Sequence, residues 1–261
     1  MPNPIYNLIT WGQSNRSGQV FNPPNSSPVG FPLASVRFWP IVGLPGSDQG
    51  VNPGTLVDLD VTTPDLGGQP IYWGTELQLG SNLAAQGLDV CIFKTSRSST
   101  TLKSWLPGQP NWSFFFSGNL PDFQAEVDAL YPGRDQLWFL LVNQGESEAQ
   151  AASSTGADAW SADLITLMNG IESLISVTLE APIITRLNSN LASAPHLATM
   201  RTQQAASDPD FIDSDDVPLG AGNVHYTTPA AISTLGAREA ARVYQAAPPE
   251  NTLPSHWLTV R

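Results

Sequence analysis

The chain has 261 residues, 41% of them apolar, which is enough for one large domain with a substantial core. Charged residues make up only 13%, and a formal net charge of −12 disfavours nucleic acid and anionic membrane surfaces as partners. No stretch approaches the ~20 consecutive apolar residues that span a bilayer.

The start of the sequence shows no basic and apolar regions of a secretory leader, which fits either a protein not exported by that route or one whose leader is missing. An extracellular role with a leader removed, or a place in a larger particle, stays open. Cys91 is the single cysteine. It sits in the apolar run 89–93 and reads as a buried, inert thiol.

In chain order, the first strand is expected over 5–10. Residues 16–72 follow, rich in Pro, Gly, Asn and Ser, and read as a long loop insertion. A helix is expected over 74–86 from Leu77, Leu79 and Leu83, then a strand over 88–94. Residues 104–120, with Trp105, Trp112 and Phe114 to Phe116, read as an ordered aromatic loop. The run 136–142 is apolar throughout, as a strand covered on both faces should be. Residues 158–176 carry Trp160, Leu164, Leu167, Ile171 and Ile175 at helical spacing, with Asp158 as a cap. A strand over 182–187 and a short one over 210–213 complete the set. Helices over 195–206 and 229–243 close the pattern, with Pro229 in a first turn. The tail from about 246 to 261 is Pro-rich.

This alternation predicts one α/β domain over residues 1–261. It is a three-layer α/β/α flavodoxin-like fold, with about five parallel strands in 2-1-3-4-5 order. Ligands of such sheets bind beyond the carboxyl ends of the strands. Polar residues gather there: Ser14 after the first strand, Thr95, Ser96 and Arg97 after the second, Gln144 and Glu146 after the third, Arg186 and Asn188 after the fourth.

A serine hydroxyl needs a neighbouring base to act as a nucleophile, and acyl transfer needs donors aimed at the oxyanion. His225, in a late loop just before a helix, is the natural base. His196 opens a helix and His256 lies in the tail, which makes both weaker candidates. The pattern reads as a serine esterase. Three scattered histidines and one cysteine do not make a zinc site, and no phosphate-binding loop is present, so no metal or cofactor is expected.

Five blocks carry a resemblance. Gly12-Gln13-Ser14-Asn15, Trp73-Gly74-Thr75-Glu76-Leu77, Lys94-Thr95-Ser96 with Trp105, Gln144-Gly145-Glu146-Ser147 and Val224-His225-Tyr226-Thr227 resemble, in order, the blocks of SGNH hydrolases. The branch is that of sialate O-acetylesterases and acetylxylan esterases. The resemblance runs over roughly residues 5–243. It implies that Ser14 attacks the acetyl carbonyl, that the N–H groups of Ser14 and Gly74 with the Gln144 amide form the oxyanion hole, and that His225 shuttles the proton. The implied reaction is removal of O-acetyl groups from a carbohydrate.

The chain departs from the pattern in one place. The family usually sets an aspartate three residues before the histidine, and Gly222 stands there. Glu146 is the favoured replacement. Asp213, Asp215 or Asp216 reaching in from a rearranged loop, or a histidine held by a backbone carbonyl, are the alternatives. Arg97, Trp105 and Arg186 are candidate substrate contacts, although the arginines also fit as rim residues paired with local acids. Trp39, Trp73 and Trp112 are candidate sugar-stacking residues or core. Two rival functions remain: a catalytically silent carbohydrate-binding or structural module, and a short-chain lipase or aryl esterase.

Overall fold

Eight consecutive buried residues, Ile5–Gly12, make the first strand, β1. Such a run suits a strand paired on both edges and covered on both faces. The computed structural model describes residues 3–13, 33–42, 56–59, 74–220, 222, 224–226 and 228–247. Within them the strands are β1, β2 (Leu33–Val42), β3 (Val57–Leu59), β4 (Asp89–Ser96), β5 (Gln136–Asn143) and β6 (Ile183–Ile184). They form one sheet in the order β3-β2-β4-β1-β5-β6, all parallel except β3.

The run β4-β1-β5-β6 reproduces the expected 2-1-3-4 order. The expected fifth strand is only a bridge between Thr185 and Ile212. Its ladder stops early because the Asp208 carboxylate takes the Ile184 N–H at 3.0 Å, the donor that a longer strand would have paired.

The sheet gains two strands from residues 16–72, which had read as loop. In β2, Val36 and Phe38 enter the core on one face of the sheet and Trp39 enters it on the other. Pro40 and the surrounding polar composition hide this pattern. Among the described residues β3 pairs with β2 over residues 33–38, short of Pro40, where a proline is better tolerated.

The helices are α1 (Glu76–Ala85), α2 (Leu120–Leu130), α3 (Glu146–Ala149), α4 (Thr155–Ile175), α5 (Leu197–Ser207) and α6 (Pro229–Ala246). Alternation along the strands splits the core in two. Tyr6, Leu8, Ile92 and Leu141 pack under α1 and α6, through Leu79, Leu83, Leu235 and Val243. Ile9, Trp11, Phe93 and Leu140 pack under α2 and α4, through Phe123, Val127, Trp160 and Leu164. Each large apolar side chain so buried stabilises the fold by roughly 1.5–3 kcal/mol.

The aromatic segment 104–120 is not a loop either. A 3-10 turn, Leu102–Trp105, and a π-helical turn, Trp112–Ser117, lead into α2. Their rings fill the second core: Trp105 meets Trp11 edge-on at 5.8 Å and Phe115 at 4.9 Å. At the start of α4 the cap is Ser154, whose hydroxyl donates to Asp158 at 2.7 Å inside the first turn. At α6, Thr228 caps and Pro229 takes the first helical position. The tail beyond residue 247 lies outside the described residues.

Candidate active site

Gly12, Ser96 and Asn143 share one register row at the carboxyl edge of the sheet. The strands part just beyond it. Gln13 N–H donates to Asn143 O at 3.2 Å, and Arg97 N–H donates to Gly12 O at 3.2 Å. Gln13 is buried and leads directly into Ser14. Ser14 lies outside the described residues, as do Asn15, Trp73, Thr227 and His256.

The turn that enters Ser14 is tied to the turn that carries Glu146. The Ser147 hydroxyl donates to Gln13 Oε1 at 2.9 Å. Between Gln144 and Glu146, Gly145 takes a φ of +133°, where a side chain would also strike the Met200 methyl at 2.6 Å. Two of the expected blocks are thus locked together, and Glu146 is buried there.

His225 sits on a loop closed by an antiparallel bridge between Leu219 and Tyr226, with Gly220 N–H donating to His225 O at 2.7 Å. It is half-buried. Burial pulls its pKa below 6.5, which keeps the imidazole neutral at pH 7. Gly222 has a φ of +86°, a conformation that aspartate adopts only with strain. Tyr226 is buried and its hydroxyl pKa is raised, first by desolvation, with a further push from the charges of Glu146 and Asp215. Glu146 therefore lies within electrostatic reach of the residue next to His225.

The rival carboxylates are engaged by arginines. Asp215 takes two bonds from Arg201 at 2.7 Å each and one from Ser189 N–H. The Arg201 bonds, above all, hold its pKa down at about 2. Asp216 is gripped by both ends of the Arg238 fork. Asp213 pairs with Arg186 at 3.2 Å.

The two expected oxyanion donors among the described residues have partners in this structure. Gln144 is fully buried, its Nε2 donating to Thr100 O at 2.9 Å. Gly74 N–H donates to Glu76 Oε1 at 2.9 Å. Of the expected substrate contacts, Arg97 reaches Asn111 at 2.8 Å, beside the edge. Arg186 stacks over Phe211 at 3.9 Å and pairs with Asp213 and Asp215, which makes it a local structural residue. Trp105 is 0% exposed and bonds Thr100 through its indole, so the expectation of a sugar contact is corrected to a core role. Trp39 and Trp112 are core as well. Asn188 is buried and braces the carbonyls of Ser214 and Val217. Cys91 is buried as expected, its thiol pushed up to about 12 by desolvation.

Sequence reasoning gave no role to four buried charged residues near this edge: Glu76, Lys94, Glu148 and Glu239. A signal existed for two of them. Lys94 interrupts an apolar strand, and Glu239 falls on the apolar stripe of α6 with Ile232, Leu235 and Val243.

The profile of the family described as carbohydrate esterase, sialic acid-specific acetylesterase, matches residues 63–245. The chain belongs to that family. It is accordingly a carboxylic ester hydrolase acting on carbohydrates. The matched span includes Gly74, Gln144, Glu146 and His225 and begins after Ser14. The esterase is similar in structure to a protein from Arabidopsis thaliana, with a TM-score of 0.67 and 16% identity over 93% of this chain and 98% of that one. It is also similar to a carbohydrate acetylesterase from Xanthomonas citri, with a TM-score of 0.55 and 14% identity over 94% of this chain and 56% of that one. At such identities the likeness establishes a shared fold. No curated protein sequence matches the chain.

Proposed function

We propose that the esterase removes O-acetyl groups from an acetylated polysaccharide or sialoside through a serine acyl-enzyme. Ser14 is the nucleophile, His225 the base and Glu146 the acid that orients the imidazole. His225 accepts the Ser14 proton as the hydroxyl oxygen attacks the acetyl carbonyl. It then protonates the sugar oxygen as the ester bond breaks. Water, deprotonated by the same imidazole, releases acetate and restores Ser14.

The proposed oxyanion donors are the Ser14 N–H and the Gln144 amide. An amide nitrogen carries two protons, and one remains on Gln144 after the bond to Thr100. The Gly74 N–H, the third donor that the resemblance implies, is bonded to Glu76 Oε1 at 2.9 Å and is assigned to holding the turn. Arg97 is the proposed contact to the sugar.

The observation that carries this reading is the convergence at one edge: Gln13 leads into Ser14 and is bonded to Ser147, which adjoins Glu146. The commitment of Asp215 and Asp216 to arginines supports Glu146 over its rivals. Burial of His225 supports a neutral base.

The test is hydrolysis of 4-nitrophenyl acetate and butyrate, acetylated xylan and O-acetyl sialosides. Ser14→Ala is expected to lower kcat by about 10³-fold or more, and Glu146→Gln by a comparable ~10³- to 10⁴-fold, as for a triad acid. Both should unfold like the parent. Undiminished turnover by Ser14→Ala refutes the mechanism, and a clear preference for butyrate refutes the acetyl assignment.

A further inference from the structure

A buried charged network lies under the turn that precedes α1. Lys94 Nζ and Glu76 Oε1 form an ion pair whose side chains are 1% and 4% exposed. The same Glu76 oxygen accepts the Gly74 N–H at 2.9 Å. One residue on, the Thr75 hydroxyl donates to Glu239 Oε2 at 2.5 Å, and Thr185 approaches the other oxygen of Glu239 at 3.4 Å. Consecutive residues of one turn are therefore held by buried glutamates from two different helices.

A buried ion pair is a weak source of stability. Taking two charges out of water is costly, and an apolar pair of the same size often holds a fold at least as well. What an apolar pair cannot do is accept a backbone N–H. The position of the pair is telling as well. Lys94 stands two residues before Ser96, in the register row of Thr10, two rows below the edge that Gly12 occupies. The strand fixes Lys94, Lys94 fixes the Glu76 carboxylate, and the carboxylate fixes Gly74.

We propose that Glu76 and Lys94 are positioning residues for catalysis, a buried clamp that holds the Gly74–Thr75 turn in register with the edge where Ser14 acts. Glu239 secures the second residue of the same turn. The clamp rests on the reading of Ser14 as nucleophile. Its job is to keep the turn from shifting against that edge during acyl transfer. A misplacement of about one ångström is enough to cost on the order of 100-fold in rate.

Two neutral double variants separate positioning from stability. Glu76→Gln with Lys94→Met removes both charges and keeps an acceptor for the Gly74 N–H. Glu76→Leu with Lys94→Met removes both charges and the acceptor. Turnover of 4-nitrophenyl acetate is measured per active site titrated with an organophosphonate, alongside amide exchange at Gly74. The acceptor-free variant is expected to lose about 100-fold in kcat with little change in KM. It should also lose protection at Gly74. The acceptor-keeping variant should retain most of both. Equal kcat in the two variants, or a higher kcat in the acceptor-free one, overturns the clamp. Ser14→Ala run in parallel distinguishes the failures: full turnover there sinks the nucleophile assignment and the clamp with it, whereas loss there together with equal double variants sinks the clamp alone.

Discussion

Glu148 is a buried carboxyl group that the proposed acyl transfer does not use. One of its oxygens accepts the Leu102 N–H, at the start of the 3-10 turn. The charges facing it are the like charges of Glu146 and Asp163. Burial, more than those charges, raises its pKa from 4.5 to about 7. The folded protein therefore binds this proton more tightly than the unfolded chain does. The resulting stabilisation is complete below pH 4.5 and is lost as the pH rises through about 7. Glu148→Gln, which stays neutral, is expected to unfold with a free energy roughly 3 kcal/mol higher than the parent at pH 8. The gain should vanish near pH 4. Urea titrations at the two pH values check this, and an equal difference at both contradicts it. His225, Gln144 and Glu146 stood out as candidates because each follows a recognisable strand or precedes a helix. The role of Trp105 was not, since a tryptophan on an aromatic segment looks the same whether it faces sugar or core.

At the level of elements, the contact between α1 and α6 governs the turn at Gly74. Gly236 of α6 presses against the Thr75 carbonyl so closely that a Cβ there would sit 2.4 Å from its oxygen and 3.2 Å from Leu79 N. That same carbonyl accepts the Leu79 N–H at 3.0 Å, an opening bond of α1. In an exposed helix Gly→Ala stabilises by about 1 kcal/mol. Here the neighbour is backbone and has no rotamer to change. Gly236→Ala is expected to destabilise by about 1–3 kcal/mol, as overpacking does. It should also lower kcat by moving the turn, measured by thermal unfolding and by ester hydrolysis. A variant as stable and as active as the parent contradicts this. Long periodic helices such as α4 were readable from their spacing. The helix α2 has no counterpart in the sequence reading although Leu120, Phe123 and Val127 share a face, because Pro121 and the loop expected over 104–120 mask its start.

For the whole molecule, the central strand is also joined to the last helix. The Tyr6 hydroxyl, on fully buried β1, donates to the carbonyl of Ala247 just past α6. Burial pushes that hydroxyl up to about 12, so it stays a donor at any working pH. Tyr6→Phe keeps the ring and its stacking on Phe139. It is expected to cost about 1 kcal/mol, to speed amide exchange in the last turn of α6, and to leave kcat unchanged because the bond lies far from the Gly12 row. Unaltered exchange there contradicts the tie.

By itself the sequence determined the layered α/β architecture and the order of four parallel strands, and it proposed Gln144, Glu146 and His225 for the site. Local periodicity and the grammar of strand ends depend on neighbours in the chain, and those are written in order. Only the tertiary structure decided that residues 33–42 and 57–59 extend the sheet, that Asp215 and Asp216 belong to arginines, and that Lys94, Glu76 and Glu239 meet beneath one turn. A buried charge gains its meaning from the partner that neutralises it, and each of those partners comes from a separate element that folding alone brings within bonding distance.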